Sequence, residues 1–417
     1  MLEGAAGPGS PLPTIRSLAT RLGLSPATVA SGYRLLHQRG IASAQGRRGS
    51  RITASPPLPG PRAAAVPPGA RDLVSGSPDP ALLPDLRPSL GRLAPRSGLY
   101  GAPACDETLL ELGRSRLAQD GLEAEHLTVV AGALDGVERS LSARLRPGDA
   151  VAVEDPGYAG VLELVTAMGL VPVPVPVDNL GIHPERLAPV LGAGARAVVL
   201  TPRAHNPTGA ALDGERAAGL TAVLEAHPDV LLVEDDHAGP VAGAPAVSAT
   251  AGLRRWCIVR SVSKSLGPDL RLAMLAGDAT TVARVEGRQR LGAGWVSHLL
   301  QGLVADLWRR RSTSALLARA TATYAGRRRA LLEALAARGI SGRGRSGLNV
   351  WIPVTAEQPI VGGLLARGWA VAAGERYRLR SSPGIRVTTA TLEPEEAHEL
   401  ARDLAAVLAP SAATRLG

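Results

Sequence analysis

A proline-rich stretch at residues 54–70 divides the chain, and this division limits the folds that are open to it. The stretch, ASPPLPGPRAAAVPPGA, contains six prolines and no apolar periodicity, so it predicts an extended spacer that does not pack into a core. On either side lie a head of residues 1–53 and a body of residues 71–417. With 417 residues, the chain is too long for one ordinary domain, and the body alone is long enough to bury a large core.

The head carries most of the positive charge. It holds seven arginines and one acid, Glu3, and so contributes +6 of the formal net charge of +9. A basic head on a nearly neutral body predicts a polyanionic partner for the head alone.

Composition excludes several other classes of protein. Cys105 and Cys257 are the only cysteines and lack CxxC spacing, which excludes a disulfide framework and a cysteine-based zinc site, and we predict no metal site. No apolar run approaches the roughly 18 residues of a membrane span, and the N-terminus lacks a signal pattern. We therefore expect a cytoplasmic protein that makes no membrane contact.

Two helices joined by a tight turn are predicted in the head. Apolar residues recur at helical spacing in residues 15–22, Gly23 begins the turn, and Ser25 before Pro26 is a strong start signal for a second helix. This is the helix–turn–helix plan, whose second helix enters the major groove of DNA. Residues 41–52, IASAQGRRGSRI, predict a β-hairpin wing with two arginines at its tip. The alternative is a small helical pair with a solvated basic face. The residues that we expect to contact DNA are Arg16, Ser25, Thr28, Arg34, Arg47 and Arg48.

The body alternates short apolar runs with amphipathic segments. We predict strands at 127–133, 150–155, 197–202, 230–236 and 256–264, with helices such as 136–146 and 211–226 between them. This alternation predicts an α/β fold with a mostly parallel sheet and ligands at the carboxyl ends of its strands. We expect a large lobe at about 99–295 and a smaller, helix-rich lobe at about 300–417, with strands near 348–353 and 384–390.

Lys264 is the only lysine among the 46 basic residues, the other 45 being arginine. Arginine replaces lysine in most surface roles, but it cannot supply the deprotonated amine that a Schiff base needs. The lysine lies in SVSKSLGPDLRLA at the end of a predicted strand. Ser261, Ser263 and Arg271 are close enough in sequence to bind the phosphate of a cofactor.

Other strand ends carry groups that suit pyridoxal phosphate. An acid of VLLVEDDH would keep the pyridine nitrogen protonated, because the positive ring is the electron sink. Asn206 in NPTG suits a hydrogen bond to the ring oxygen, and Tyr158 in EDPGY suits stacking on the ring. Backbone N–H groups of residues 131–136, AGALDG, would cradle the phosphate. Each motif alone is compatible with an ordinary turn or core residue, but their order and spacing together indicate this site.

With these motifs in view, LPTIRSLATRLGLSPATVASGYRLLHQRGIASAQGRRGSRI resembles the GntR-type winged helix family. The body resembles a class I aminotransferase of fold type I. Head, linker and body together resemble the MocR/GabR-type regulators of the GntR family over nearly the whole chain. The resemblance implies an α/β fold type I body with a smaller C-terminal lobe and an N-terminal winged helix–turn–helix. It also implies pyridoxal 5'-phosphate as cofactor, a homodimer, and double-stranded DNA and an amino acid or amine effector as partners.

The same resemblance implies a role for each matching residue. Lys264 would form the internal aldimine, Asp235 would bind the pyridine nitrogen, and Asn206 would bind the ring oxygen. Tyr158 would stack on the ring. Arg386, in GIRVTTATL, would bind the α-carboxylate of the effector, the alternative being a surface salt bridge. The phosphate would be held by Gly132, Ala133, Ser261, Ser263, Arg271 and, across the dimer interface, Tyr100.

The chain also departs from the family pattern. His237 stands where the family usually has a tyrosine that bonds the ring oxygen, and its N–H could serve instead. Gly160 stands where GabR-like proteins can carry a carboxylate-binding arginine, and Cys105 replaces a usual glycine. Only MLEGAAGPGS precedes Leu12, so the first helix of the family's head is expected to be truncated.

These observations favour a transcriptional regulator whose aminotransferase-like domain senses an amino acid or amine through the pyridoxal phosphate aldimine. The alternative is a catalytically active aminotransferase with a vestigial DNA-binding head, and a third class binds the cofactor without either activity. The linker and the basic wing favour the regulator because an enzyme needs neither, whereas the short N-terminus favours the enzyme. The sequence leaves open the effector, the promoter and the choice between activation and repression.

Overall fold

The computed structural model describes residues 10–38, 42–44, 49–52, 66–93 and 99–409. The head consists of α1 (Ile15–Leu22), α2 (Pro26–Gln38) and an antiparallel hairpin of β1 (Ala42–Ala44) and β2 (Ser50–Ile52). The Thr14 hydroxyl accepts a hydrogen bond from the Ser17 N–H and caps α1. Gly23 ends that helix in the left-handed conformation, at φ 63°. The predicted helix–turn–helix and the two strands of the predicted wing are present, whereas residues 45–48 at the tip of the wing lie outside the described residues.

The core of the head is small. The Tyr33 hydroxyl donates a 2.6 Å hydrogen bond to the Pro13 carbonyl and ties α2 to the chain that enters α1. The buried side chains of this core are Ala19, Val29 and Tyr33, with Leu12 and Leu18 packed against them. Ile15, Leu22 and Leu24 are exposed. Residues 1–9, on which the expectation of a truncated first helix depends, lie outside the described residues.

The body alternates helices and strands as predicted. Its elements are β3 (Arg71–Asp72), α3 (Arg87–Leu90), α4 (Glu107–Gln119), β4 (His126–Val130), α5 (Ala133–Ser142), β5 (Ala150–Asp155), α6 (Ala159–Ala167), β6 (Val171–Asp178), β7 (Gly181–Ile182), α7 (Pro184–Gly192), β8 (Ala197–Leu200), α8 (Gly214–Glu225), β9 (Leu231–Asp236), β10 (Trp256–Ser261), β11 (Ala273–Gly277), α9 (Ala279–Arg290), α10 (His298–Arg309), α11 (Arg311–Ala336), β12 (Asn349–Pro353), α12 (Glu357–Leu365), β13 (Trp369–Ala370), β14 (Ala372–Ala373), β15 (Gly384–Thr388) and α13 (Pro394–Leu408). Short 3₁₀ turns lie at Pro80–Leu82, Gly239–Val241, Pro268–Leu270 and Gly374–Tyr377.

An eight-stranded sheet forms the large lobe, in the order β4-β11-β10-β9-β8-β5-β6-β7. The pairs β10–β9, β9–β8, β8–β5 and β5–β6 are parallel, and β11 is antiparallel to both of its neighbours. The α/β class and the mostly parallel sheet are thus confirmed. The central strands are apolar runs because helices cover both faces of the sheet. Val151 and Val153 pack towards α5 and α6, whereas Ala152 between them packs towards α7 and α8.

Three predicted strands were too long: the one predicted at 197–202 ends at Leu200, and the turns that follow explain the other two. The strand predicted at 127–133 ends at Val130, because Gly132 takes φ 98° and becomes the N-cap of α5, which begins at Ala133. The strand predicted at 256–264 ends at Ser261, and the chain then turns so that the Leu266 N–H bonds the Val262 carbonyl. The helix predicted at 136–146 accordingly runs from 133 to 142.

The smaller lobe packs around the antiparallel sheet β12-β15-β14. Its core joins side chains of α11, α12 and α13 to Leu73, which comes directly after β3. By contrast, Val304 and Leu307 of α10 pack with the large lobe. The domain boundaries near residues 53, 70 and 300 stay predictions. Among the helices in the described ranges, none combines the length and apolar composition of a bilayer span.

Candidate cofactor and effector site

A cavity of about 560 Å³ lies where β5, β8, β9 and β10 end. These strands are mutually parallel, so their carboxyl ends meet at one edge of the sheet. The sequence-predicted residues that line the cavity are Ala133, Tyr158, Asn206, Asp235, His237, Ser261, Ser263, Lys264, Arg271 and Arg386.

Lys264 is the amine of this cavity. Its Nζ donates a 2.7 Å hydrogen bond to the Gly76 carbonyl. Burial, together with the positive charge of Arg386, lowers the pKa of Lys264 to about 8, and Asp235 opposes this shift. The lysine can therefore reach its neutral, nucleophilic form close to neutral pH.

Three consecutive acids end β9, and strand alternation gives them different surroundings. Glu234 and Asp236 lie on one side of the strand, and Asp235 lies on the other and faces the cavity. The Glu234 carboxylate accepts 2.8 Å hydrogen bonds from the Ala249 N–H and the Ser248 hydroxyl. Burial raises the pKa of Glu234 to about 7.

Asp236 is held between two arginines. Its carboxylate accepts hydrogen bonds from Arg203 at 2.9 Å and from Arg260 at 2.7 Å. Burial alone would raise the pKa of Asp236, but Arg260 and Arg203 together lower it to about 2. Asp236 is therefore an ionised structural acid.

Asp235 is a buried acid without such partners. Burial, helped by the charges of Asp236 and Glu154, raises the pKa of Asp235 to about 7. Its Oδ1 has no hydrogen-bond partner among the described residues. A buried carboxyl oxygen that lines a cavity in this way is suited to an N–H cation of a ligand.

His237 follows these acids and also lines the cavity. Burial and the nearby Lys264 cation lower the pKa of His237 to about 4. The imidazole is therefore neutral near pH 7, with one nitrogen as donor and the other as acceptor. This leaves it able to donate to an oxygen of a ligand ring.

A cradle for an anion lies at the N-terminus of α5. A Cβ at Gly132 would lie 2.8 Å from Nη2 of Arg271, so glycine lets this guanidinium lie close to the backbone. The Ser261 hydroxyl donates to the Ser263 hydroxyl at 2.9 Å beside it. Free N–H groups at a helix N-terminus, a guanidinium and hydroxyls are the donors that phosphate prefers.

Backbone strain is also concentrated here. Ala204 and Arg271 are the non-glycine residues with positive φ in the described part of the chain, at 55° and 42°, and both line the cavity. Residues held in such conformations cluster at functional sites.

Arg386 lies buried on β15 at the other end of the cavity. It donates to Asn206 Oδ1 at 3.1 Å and to the Val74 carbonyl, and its guanidinium lies 4.9 Å from the centre of the Tyr377 ring. Its Nε has no hydrogen-bond partner within the described ranges. Burial lowers the pKa of Arg386. Among the described residues no carboxylate lies within ion-pair distance of its guanidinium, which suits it to a ligand carboxylate rather than a surface salt bridge.

Two predicted phosphate residues do not line the cavity. Gly132 lies beneath Arg271 and acts by leaving space. Tyr100 is 95% exposed, and its ring meets Trp295 edge-on at a centroid distance of 5.9 Å. The role of Tyr100 across a dimer interface stays a prediction.

Sequence reasoning missed several groups that line the cavity. Val74 and Gly76 act through backbone carbonyls, for which no side-chain signal exists. Tyr377 supports Arg386, and the Glu163–Arg376 pair, 3.5 Å apart, lies at the same cavity. The glycine of VSGSPD, with φ 63° at Gly76, is the one signal that could have indicated a close approach.

The predicted DNA-contacting residues lie on the head. Arg16 is exposed on α1. The Ser25 hydroxyl accepts a 3.1 Å hydrogen bond from the Thr28 N–H and lies 2.8 Å from the Thr28 hydroxyl, so this exposed pair caps α2. Arg34 is on α2, but its side chain lies outside what the structure describes, as do Arg47 and Arg48 entirely.

The residues present fit pyridoxal phosphate. The orphaned Asp235 oxygen suits its pyridine nitrogen, the Gly132–Arg271 cradle suits its phosphate, and Lys264 suits its aldehyde. When bound, this cofactor supplies a carbonyl carbon for amines and a positive ring that withdraws electrons.

Comparison with known proteins agrees with this fit. The family model "Aminotransferase class I and II" matches residues 99–404, and "Bacterial regulatory proteins, gntR family" matches residues 1–52. The vitamin B6 salvage pathway transcriptional repressor PtsJ of Salmonella typhimurium is 39% identical over 398 residues, covering 94% of this chain and 92% of that protein. The pyridoxine biosynthesis regulator PdxR of Corynebacterium glutamicum is 35% identical over 255 residues, covering 56% of this chain and 53% of that protein.

Solved structures share the fold of the body. The α-aminoadipate aminotransferase LysN of Thermus thermophilus, complexed with N-(5'-phosphopyridoxyl)-L-leucine, superposes with a TM-score of 0.73 at 22% identity, covering 82% of this chain and 92% of that chain. The kynurenine aminotransferase of Pyrococcus horikoshii superposes with a TM-score of 0.74 at 21% identity, covering 82% of this chain and 91% of that chain. The chain therefore belongs to the aminotransferase class I and II family and, with its gntR-family head, is a MocR/GabR-type regulator.

Proposed function

We propose that this chain is a pyridoxal phosphate-dependent transcriptional regulator that binds DNA through its head and senses an amino compound through its body. The observation that carries the proposal is the joining of a gntR-family head to the cavity of Lys264, Asp235 and Arg386 in one chain. The 39% identity to PtsJ, a repressor, spans both parts. A working aminotransferase with a vestigial head is the less favoured alternative.

The residues divide the work of binding. Lys264, poised near its neutral form, would supply the amine that engages the cofactor carbonyl, and Asp235 would hold the ring nitrogen as a cation. Asn206 and His237 line the cavity and would serve the ring oxygen, and the Gly132–Arg271 cradle would hold the phosphate. Tyr158 would cover the ring, and it packs against Gly160, where a Cβ would lie 2.7 Å from the tyrosine ring.

Arg386 gives the site its expected preference for a carboxylate. Its neutral partners, Asn206 and the Val74 carbonyl, are weaker partners for a guanidinium than a carboxylate is. The bound amino acid changes DNA affinity only through different affinities for two conformations of the protein.

A second candidate signal is the cofactor itself. PtsJ and PdxR are, by their names, regulators of vitamin B6 salvage and pyridoxine biosynthesis. In that case, loading with pyridoxal phosphate alone would change the affinity for DNA, and amino acids would add little.

We also propose a homodimer. Leu99, Tyr100 and Leu291 are 75%, 95% and 89% exposed, and Tyr100 contacts Trp295. Large apolar side chains exposed to this extent indicate a surface that a second copy of the chain covers. Sedimentation of the cofactor-loaded protein tests this, with a Leu291→Asp variant expected to shift the mass towards the monomer.

The test of function is binding to a labelled fragment of the gene's own upstream region, with scrambled DNA as competitor at moderate salt. The cofactor-free protein, the loaded protein and the loaded protein with an amino acid mixture are compared. Arg386→Lys is the matched control, because it keeps the charge but loses bidentate geometry. If loading with the cofactor alone changes the affinity for the upstream fragment, the cofactor is supported as the signal. If the amino acid mixture changes this affinity and Arg386→Lys loses the response, the amino compound is supported as the signal. Equal binding to scrambled DNA in all states, with steady transamination of amino acids, would instead support the aminotransferase.

A further inference from the structure

The segment at residues 71–79, which follows the predicted linker directly, crosses the cavity. We call it the strap. Its first part is anchored in the small lobe: β3 pairs with β13, and the Leu73 N–H bonds the Ala370 carbonyl at 2.9 Å. Leu73 is fully buried in the core of that lobe.

The far end of the strap is held by α11. The Asp79 N–H donates to the Tyr324 hydroxyl at 3.1 Å, and Arg327 lies 2.8 Å from the Asp79 carboxylate. These contacts are outside the cavity, because neither Tyr324 nor Arg327 lines it.

Between these anchors, the strap holds two cations of the site. The Gly76 carbonyl accepts the hydrogen bond from Lys264, and the Val74 carbonyl accepts one from Arg386. These are the side chains that the proposed function assigns to the cofactor and to the effector carboxylate. A lysine amine engaged by a cofactor no longer offers three N–H donors, and a carboxylate is a stronger partner for arginine than a carbonyl.

We propose that the strap couples the cavity to the DNA-binding head: its Val74 and Gly76 carbonyls compete with effector and cofactor for Arg386 and Lys264. Ligand binding weakens two attachments of the segment that continues into the linker.

This inference rests on the proposed function, but it is testable without DNA. Coupling is reciprocal, so loosening the strap strengthens cofactor binding. Gly76→Ala places a side chain at φ 63°, where L residues are disfavoured, and its Cβ would lie no closer than 3.5 Å to Arg386. We expect cofactor affinity, from titration of the visible absorbance, to rise about fivefold.

The matched control is Gly121→Ala, which has the same kind of backbone strain at φ 74° with nothing within 4 Å. Its cofactor affinity is expected to be unchanged. Tyr324→Phe loosens the far anchor without touching the cavity, and it is expected to raise the affinity by two- to tenfold. It serves as the second test where Gly76→Ala does not fold.

Hydrogen exchange of the full-length protein provides the direct readout. Amides of residues 73–79 are expected to exchange several-fold faster after loading with pyridoxal phosphate. Slower or unchanged exchange after loading would show that the strap forms part of the ligand cradle and would overturn the proposal. Cofactor binding that is unchanged or weaker in the folded strap variants would overturn it in the same way. Loss of operator binding with the exchange response intact would count against the proposed function only.

Discussion

Replacing Asp235 or Asp236, the adjacent aspartates of β9, by asparagine is expected to change the stability of the fold in opposite directions. Burial raises the pKa of Asp235 from 3.8 to about 7. At about 1.4 kcal/mol for each pH unit, the ionised carboxylate in the cofactor-free fold costs roughly 4 kcal/mol at pH 8. Asp235→Asn removes that cost, so the cofactor-free variant is expected to be more stable than the wild type at this pH.

The pH dependence of folding stability shows whether the raised pKa of Asp235 causes this difference. A folded-state pKa above the unfolded value means that the folded protein binds the extra proton, so stability falls as pH rises from about 4 to 7. The advantage of Asp235→Asn should therefore shrink by roughly 3 kcal/mol between pH 8 and pH 5. Glu234 titrates in the same range but is present in both proteins and cancels from the difference.

Asp236→Asn is the matched control. Arg203 and Arg260 lower the pKa of Asp236 to about 2, so its ionised form stabilises the fold above pH 4. Its loss is expected to cost at least about 2 kcal/mol at pH 8, because two buried arginines also lose their partner. Urea unfolding of the cofactor-free proteins at pH 5 and pH 8 measures both effects. An Asp235→Asn variant less stable than the wild type at pH 8 would refute this account of the site.

Three further substitutions test separate parts of the molecule. Lys264→Ala is expected to abolish the visible absorbance band of the bound cofactor, since no second lysine can replace the amine, and an unchanged spectrum would contradict the assignment. Arg386→Ala should weaken amino acid binding at least tenfold while the cofactor band persists, and loss of the cofactor would show a different role. Arg47→Ala with Arg48→Ala, both outside the described residues, should weaken binding to all DNA sequences and lower the salt slope by about two, as read from titrations at several salt concentrations; a loss confined to one sequence would contradict contact with phosphates.

The sequence predicted those parts of the site that depend on strand ends. Asp235, Asn206 and Lys264 follow or end apolar runs, and parallel pairing brings such ends to one edge. Tyr158 and Arg271 lie within short motifs whose residue types suit one ligand. Because successive side chains of a strand point to opposite faces, the strand in VLLVEDDH places Asp235 on the face opposite to Glu234 and Asp236. The sequence alone does not tell which of these faces meets the cavity.

Contacts between distant segments could not be predicted in this way. Gly76 meets Lys264 across 188 positions of the chain, and Val74 meets Arg386 across 312. Both contacts use backbone carbonyls, which every residue has, so residue type gives no signal. The exact strand ends at Val130 and Ser261 also depended on the turn geometry that follows them, and apolar runs do not report that geometry.

Charge in the cavity bears on the choice between an amine and an amino acid. Of the lysine, arginine and carboxylate side chains that line it, Glu163 and Arg376 pair with each other, which leaves the cations Lys264, Arg271 and Arg386 and the acid Asp235. Arg271 faces the phosphate cradle, and Lys264 and Asp235 serve the rest of the cofactor. Arg386 then remains with neutral partners when a plain amine binds, whereas an amino acid brings it a carboxylate. The balance of charge therefore favours an amino acid over a plain amine as the effector.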